Sequence, residues 1–174
     1  SGHKAKDFTL NGFVVQKFGT DSTYLQIRAE AGVFLETPDY FLSNYKSNHF
    51  KWSNSFEKEK KTEFKFDLSL PKYKINAGTR FSTLTDLVYL NSEVQPEQFI
   101  GTFAVLDVYF KNRLEFGKFG LKTQLNYQES GNNTVLPLPK FSSYAALYWA
   151  PEVYFKATEG KMKFNIGADI YYWT

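Results

Sequence analysis

From Phe119 to Gln128 the chain alternates without error, with Phe119, Leu121, Thr123, Leu125 and Tyr127 at odd positions against Gly120, Lys122, Gln124, Asn126 and Gln128. A two-residue period sends successive side chains to opposite faces of an extended strand, and a helix, whose faces recur near every 3.6 residues, cannot satisfy it. The same pattern returns along the chain. Phe64, Phe66, Leu68 and Leu70 oppose Glu63, Lys65, Asp67 and Ser69; Tyr73, Ile75, Ala77, Thr79 and Phe81 oppose Lys74, Asn76, Gly78, Arg80 and Ser82. Leu25 to Leu35, Ile100 to Lys111 and Met162 to Tyr172 follow suit, and less regular candidates lie at Phe8 to Phe18, His49 to Lys58 and Phe141 to Lys156. The reading is all-β, with about nine antiparallel strands.

Formal charge falls almost wholly on one side of this alternation. A one-residue slip of the Phe119 strand would turn Lys122 onto the apolar side, at a cost of about 2 to 4 kcal/mol at a bilayer midplane, so the pattern specifies a register. It also reconciles a mean hydropathy of -0.41 with 43% hydrophobic residues, because strands of a membrane barrel give every second residue to water. No stretch approaches the roughly 18 to 20 consecutive apolar residues of a spanning helix, which leaves a closed β-barrel as the way to cross a bilayer. A soluble sandwich also alternates, but the 18 Phe and 12 Tyr exceed what a core in 174 residues needs. Rings gather at strand ends and loop junctions, as interfacial girdles do; Trp52, Tyr148, Trp149, Tyr172 and Trp173 are the expected girdle residues.

Tight turns are expected at Gly19 to Asp21, Glu59 to Lys60, Pro71 to Lys72, Gly117 to Lys118 and Glu159 to Gly160. Longer loops are expected at Thr37 to Ser47, Thr85 to Pro96 and Ser130 to Pro139. These do not alternate cleanly between short and long, so either one strand is split or one is missed near Leu87 to Leu90.

The other classes of function find little support. The net charge of +3 is too small and too scattered for nucleic acid, and the absence of cysteine removes disulfides and thiolate metal sites. Of the two histidines, His3 lies near the chain start, and His49 next to Asn48 and Ser53 has no enforced nucleophile-base spacing. Asp39, His49, Asp86 and Asp107 share no ligand-like spacing, so neither a metal, a cofactor nor catalysis is expected. Asn132-Asn133-Thr134 matches a glycosylation sequon and reads as an exposed loop.

Five segments in consistent order, SNHFKWSNSFEKE (Ser47 to Glu59), DLVYLNSEVQPEQ (Asp86 to Gln98), LNYQES (Leu125 to Ser130), VLPLPKFSSYAALYW (Val135 to Trp149) and GADIYYWT (Gly167 to Thr174), give the chain a likeness. It resembles the putative porin family of Bacteroidota, most clearly from Ser47 onward. The resemblance implies an antiparallel transmembrane β-barrel of the bacterial outer membrane, with further strands after the segment that resembles GADIYYWT. Residues 1–174 are then a single barrel segment, about nine strands of a larger wall, with residues 1–5 as an expression or fragment start. The expected function is passive diffusion of small hydrophilic solutes past a lumen lined by Lys74, Arg80, Asp107, Lys111, Lys122, Gln124, Asn126, Gln128, Lys163 and Asp169. Mixed charge on that lining argues against strong ion selectivity. Expected partners are outer-membrane lipid, the solutes, and envelope proteins or chains that complete the barrel. The alternatives are a scaffold barrel in an envelope assembly and a soluble carbohydrate-binding β-sandwich.

Overall fold

In the computed structural model, which describes residues 7–20, 23–155 and 160–174, the chain runs as a meander. In order it forms β1 (Phe8–Thr20), β2 (Thr23–Glu36), a helical turn α1 (Tyr40–Ser43), β3 (Asn44–Lys46), β4 (Lys51–Ser53) and β5 (Glu59–Leu70). A 3-10 turn (Pro71–Tyr73) leads to β6 (Ile75–Thr85), β7 (Val88–Leu90), β8 (Pro96–Gln98), β9 (Thr102–Phe116) and β10 (Phe119–Ser130). The last strands are β11 (Phe141–Trp149), β12 (Glu152–Phe155), β13 (Gly160–Lys163) and β14 (Ile166–Trp173). Eight of them form one sheet in the order β1-β2-β5-β6-β9-β10-β11-β14, antiparallel at every interface. The other six pair as the hairpins β3–β4, β7–β8 and β12–β13.

Among the described residues the wall has eight strands against the expected nine or so, and the difference accounts for most of the failed alternation of the connections. Glu59 and Lys60 are the first residues of β5 and make no turn. The expected strand at His49 to Lys58 contributes only the short β4 of a loop hairpin. The residues near Leu87 to Leu90 form β7, again in a hairpin outside the wall. Once these are reassigned, β1–β2, β5–β6 and β9–β10 join at one end through the tight connections at 20–23, 71–74 and 117–118, and the connections 37–58, 86–101 and 131–140 all lie at the other end. Pro71 to Lys72 is a genuine turn: the Lys74 N–H donates to the Pro71 carbonyl at 3.0 Å, and Lys74 turns the chain with φ of 52°. The expected turns at Gly19 to Asp21 and Glu159 to Gly160 run into residues outside those described.

Two more strands differ from expectation for one reason. The alternation from Met162 to Tyr172 continues in phase across a break, so period alone cannot see that β13 ends at Lys163 and β14 begins at Ile166. Phe141 to Lys156 is likewise divided between β11 and β12 around Ala150 and Pro151.

Register fixes the faces. Directly paired residues share a face, and following the pairs across the wall collects Phe8, Leu10, Val14 and Phe18 of β1 with Leu25, Ile27, Ala29, Ala31, Val33 and Leu35 of β2. The same face continues through Phe64, Phe66 and Leu68 of β5, Ala77 and Phe81 of β6, and Leu106, Val108 and Phe110 of β9. It ends with Leu121 and Leu125 of β10, Ala145 and Leu147 of β11, and Ala168 and Ile170 of β14. Among the described wall residues the formal charges on this face are Lys60 and Glu129, both at the long-loop end, where a charged head reaches water most easily.

Among the described residues no second layer covers this apolar face. Sizeable contacts between wall strands join hydrogen-bonded neighbours, and Leu10, Phe64, Leu147 and Ile170 are all exposed. The chain leaves 12632 Å² accessible, against about 8,700 Å² for a globular protein of its mass. The buried apolar side chains Val88, Phe103 and Val135 lie instead at the long-loop end, where loop 86–101 folds over the wall. There the Val88 N–H donates to Glu59 Oε1 at 2.6 Å, Gln98 Nε2 donates to the Asp86 and Glu57 carbonyls, and Phe99 meets Phe103 edge to face at 5.6 Å.

The start of β1 is tied to the first long loop. Asp7 accepts from Lys58 Nζ at 2.6 Å and from the Thr37 N–H and hydroxyl at 2.9 and 2.8 Å. The Lys58 bond, then those from Thr37, hold the Asp7 carboxyl below its ordinary range. A depressed carboxylate pKa stabilises above the unfolded value and loses that contribution as pH falls through the folded one. Trypsin should therefore cleave after Lys58 faster in Asp7→Asn than in the parent at neutral pH. Loop protection in the parent, read by acid-active pepsin or hydrogen exchange, should fall toward that of Asp7→Asn only on acidification below the ordinary carboxylate range.

Candidate functional site

The opposite face is polar, and its charges are arranged in rows across the strands. Glu30 of β2 pairs across the ladder with Lys65 of β5, and Lys65 with Arg80 of β6, which in turn faces Asp107 of β9. Around this row the side chains close a lattice. Glu63, only 5% exposed, takes Lys61 at 2.6 Å, Lys65 at 2.8 Å and Arg80 at 3.7 Å. Glu30 takes Arg28 at 2.9 Å and Lys65 at 3.5 Å, and Asp107 lies 3.9 Å from Arg80. Exposed pairs of this kind each contribute about 0 to 1 kcal/mol, but Glu63 is a buried carboxylate held by three cations, and removing it would leave those cations facing one another.

Two tyrosines on this face lie across glycines of the neighbouring strand. Tyr109 of β9 is paired with Gly78 of β6, which is paired with Asp67 of β5; the Tyr109 hydroxyl passes over the glycine and donates to Asp67. Tyr148 of β11 is paired with Gly120 of β10 and with Gly167 of β14. Its ring occupies the space that a Cβ on Gly120 would need, and its hydroxyl accepts from Arg113 Nε at 2.9 Å. Arg113 and Lys74 both reach Glu115, at 2.8 and 2.5 Å. Glycine is required at positions 78 and 120 because a larger residue would lift the ring off the wall.

Of the residues expected to line an interior, Arg80, Asp107, Lys111, Lys122, Gln124, Asn126, Gln128 and Asp169 share the polar face by register. Lys74 sits at the 71–74 turn and reaches the same face through Glu115. Lys163 does not belong to the wall: its backbone pairs with Glu152 in the β12–β13 hairpin, and its side chain lies outside the described residues. The expected aromatic girdle needs a similar correction. Trp149 and Tyr172 stand on the apolar face at opposite ends, whereas Tyr148 and Trp173 stand on the polar face and Trp52 belongs to the β3–β4 hairpin. Adjacent aromatic residues in a strand must part to opposite faces, so Tyr148-Trp149 and Tyr172-Trp173 could never both point one way.

The true apolar-face bands are Phe116, Phe119 and Trp149 in direct cross-strand succession at the short-turn end, and Tyr127, Phe141 and Tyr172 at the other. Phe119 to Tyr127 is eight residues, about 27 Å along the strand and about 21 Å of depth at a 40° tilt, close to the roughly 25 Å apolar band of a membrane barrel.

His49 lies exposed at the β3–β4 turn, and the Ser53 hydroxyl is bonded to Asn44 Oδ1 at 3.0 Å. Among the described residues no cluster of His, Asp or Glu has the arrangement of a metal site. The Arg80 contact to Glu63, the Arg113 contact to Tyr148 and the two tyrosine-glycine rows escape a reading of the sequence, because each joins different strands. The available signal was a glycine on the charged side of a strand.

Gly120→Ala should lower the unfolding temperature of the detergent-solubilised protein and cost about 1 to 3 kcal/mol by overpacking. Gly12→Ala, where a Cβ meets nothing within 4 Å, should leave it nearly unchanged. Thermal unfolding followed by circular dichroism compares the two.

No curated protein matches the chain. A family model described as putative porin matches residues 1–174, the whole length of the sequence. With its two-faced antiparallel wall, the chain is a member of the putative porin family.

Proposed function

We propose that this wall lines an aqueous pore in the bacterial outer membrane through which small hydrophilic solutes diffuse passively. The separation of the two faces across all eight strands carries this reading. The uncovered apolar face suits lipid, and the paired charges of the other face suit water, since they would be costly in hydrocarbon. The three tight turns share one end and the connections 37–58, 86–101 and 131–140 the other, as in outer-membrane barrels, while the longer connection 150–165 with its β12–β13 hairpin also lies at the tight-turn end.

The free edges of β1 and β14 must also be paired. An open edge in a bilayer leaves N–H and C=O groups unsatisfied at several kcal/mol each, so closure joins these edges to each other or to further strands. On this reading Lys74, Arg80, Asp107, Lys111, Lys122, Gln124, Asn126, Gln128 and Asp169 face the lumen, and membrane lipid contacts the Phe64, Phe81 and Leu125 side.

Reconstituted protein should release small sugars and amino acids from liposomes and conduct ions in planar bilayers; retention of all solutes and absence of current would overturn the pore reading. Glu63→Gln should shift selectivity toward anions, because Lys61, Lys65 and Arg80 lose their shared countercharge. Reversal potentials in a potassium chloride gradient measure that shift.

A further inference from the structure

The polar face changes character from one side of the wall to the other. Across β2, β5, β6 and β9 it is a lattice of mutually neutralising charges. Across β11 and β14 it becomes aromatic. Tyr148 lies toward the short-turn end, and Tyr144 comes four residues earlier on the same strand, paired with Tyr171 of β14. Their rings are 4.6 Å apart at 36°. Trp173 follows two residues beyond Tyr171, opposite Ser142. At about 3.4 Å per residue these rings form a column about 20 Å long, running along the strands in the direction a solute would travel.

A cavity of about 380 Å³ opens beside the half of this column nearer the long loops. Tyr144, Tyr171 and Trp173 supply ring surfaces to it, and Gln124 and Ser142 supply hydrogen-bonding groups. No lining side chain carries a formal charge. Lys122 and Asp169 lie a row away, on either side of Ala146.

We propose that this column binds neutral saccharides and guides them along the pore. A pyranose offers apolar C–H faces for stacking on rings and a rim of hydroxyls for amides and serines, and it needs no countercharge. Peptides and nucleotides, with their fixed charges, would find no ionic partner in the cavity lining. The inference deepens the pore reading and rests on it for the direction of transport, while binding itself can be measured without current.

The test uses maltohexaose as probe, on the purified protein in detergent and in planar bilayers. Trp52, Trp149 and Trp173 are the three tryptophans of the chain, so Trp52→Phe/Trp149→Phe leaves Trp173 as the sole indole reporter. Maltohexaose should quench or shift its fluorescence and should block the ionic current in a concentration-dependent way. Tyr144→Ala/Tyr171→Ala should raise the half-blocking concentration about tenfold, and Tyr144→Phe/Tyr171→Phe, which keeps the rings, should restore most of the block. An open channel showing neither block nor fluorescence change overturns the saccharide site and leaves the pore standing. A fluorescence response in a protein that carries no current overturns the pore reading and keeps the site. Block undiminished in Tyr144→Ala/Tyr171→Ala overturns the assignment to this column.

Discussion

Antiparallel pairing that sets residues directly opposite one another is the constraint on which the rest of this wall depends. Each interface transmits parity: once Phe119 is opposite Phe116 on one side and Trp149 on the other, every side chain on β9, β10 and β11 is committed to a face. Seven successive interfaces preserve that commitment, so residues far apart in the chain, such as Leu10 and Ile170, share one surface. The ion-pair lattice and the tyrosine-glycine rows are consequences of the same geometry. Alternation within β5 sets Lys61 and Lys65 beside Glu63, and the register with β6 brings Arg80 within reach of the same carboxylate.

This parity also divides the chemistry economically. The apolar face needs little more than size and the absence of charge, so Phe, Leu, Val, Ala and Thr interchange along it. The polar face is more demanding, because long side chains there meet across strands. Gly78 and Gly120 leave room for rings that span neighbouring strands, and the tyrosine hydroxyls then reach polar partners further along the wall. These rings lie along the wall, with Lys111 5.2 Å from the Tyr109 ring centre and Arg113 and Lys122 each 5.6 Å from that of Tyr148.

What could be read in the sequence was whatever depends on period within one strand. The faces of β5, β6 and β10 were legible in full, since every charged residue of those central stretches fell on one side. Strand ends were less legible. Alternation runs in phase through Lys163, Phe164 and Asn165, so nothing local marks the departure of β13 from the wall, and Lys163 was grouped with wall residues although its backbone pairs in the β12–β13 hairpin. At Glu59 and Lys60, two charged residues resemble a turn, yet register extends β5 through them. The aromatic pairs Tyr148-Trp149 and Tyr172-Trp173 were legible as interfacial clusters but not as residues divided between faces. Contacts such as Arg113 with Tyr148 lay beyond reach, because pairing between strands is not written in either strand alone.

The alternation of tight turns and long loops has a consequence for how such a wall can change size. Each tight turn joins two strands into a hairpin that begins and ends at the same rim. Adding or removing one hairpin alters the circumference by two strands without inverting any neighbour or exchanging the two faces, and the outer edges still present the same backbone pattern. A single strand could not be added so simply, because it would leave the chain at the wrong rim. The hairpin is thus the unit in which a wall of this kind can be lengthened, shortened or duplicated while its existing registers stay intact.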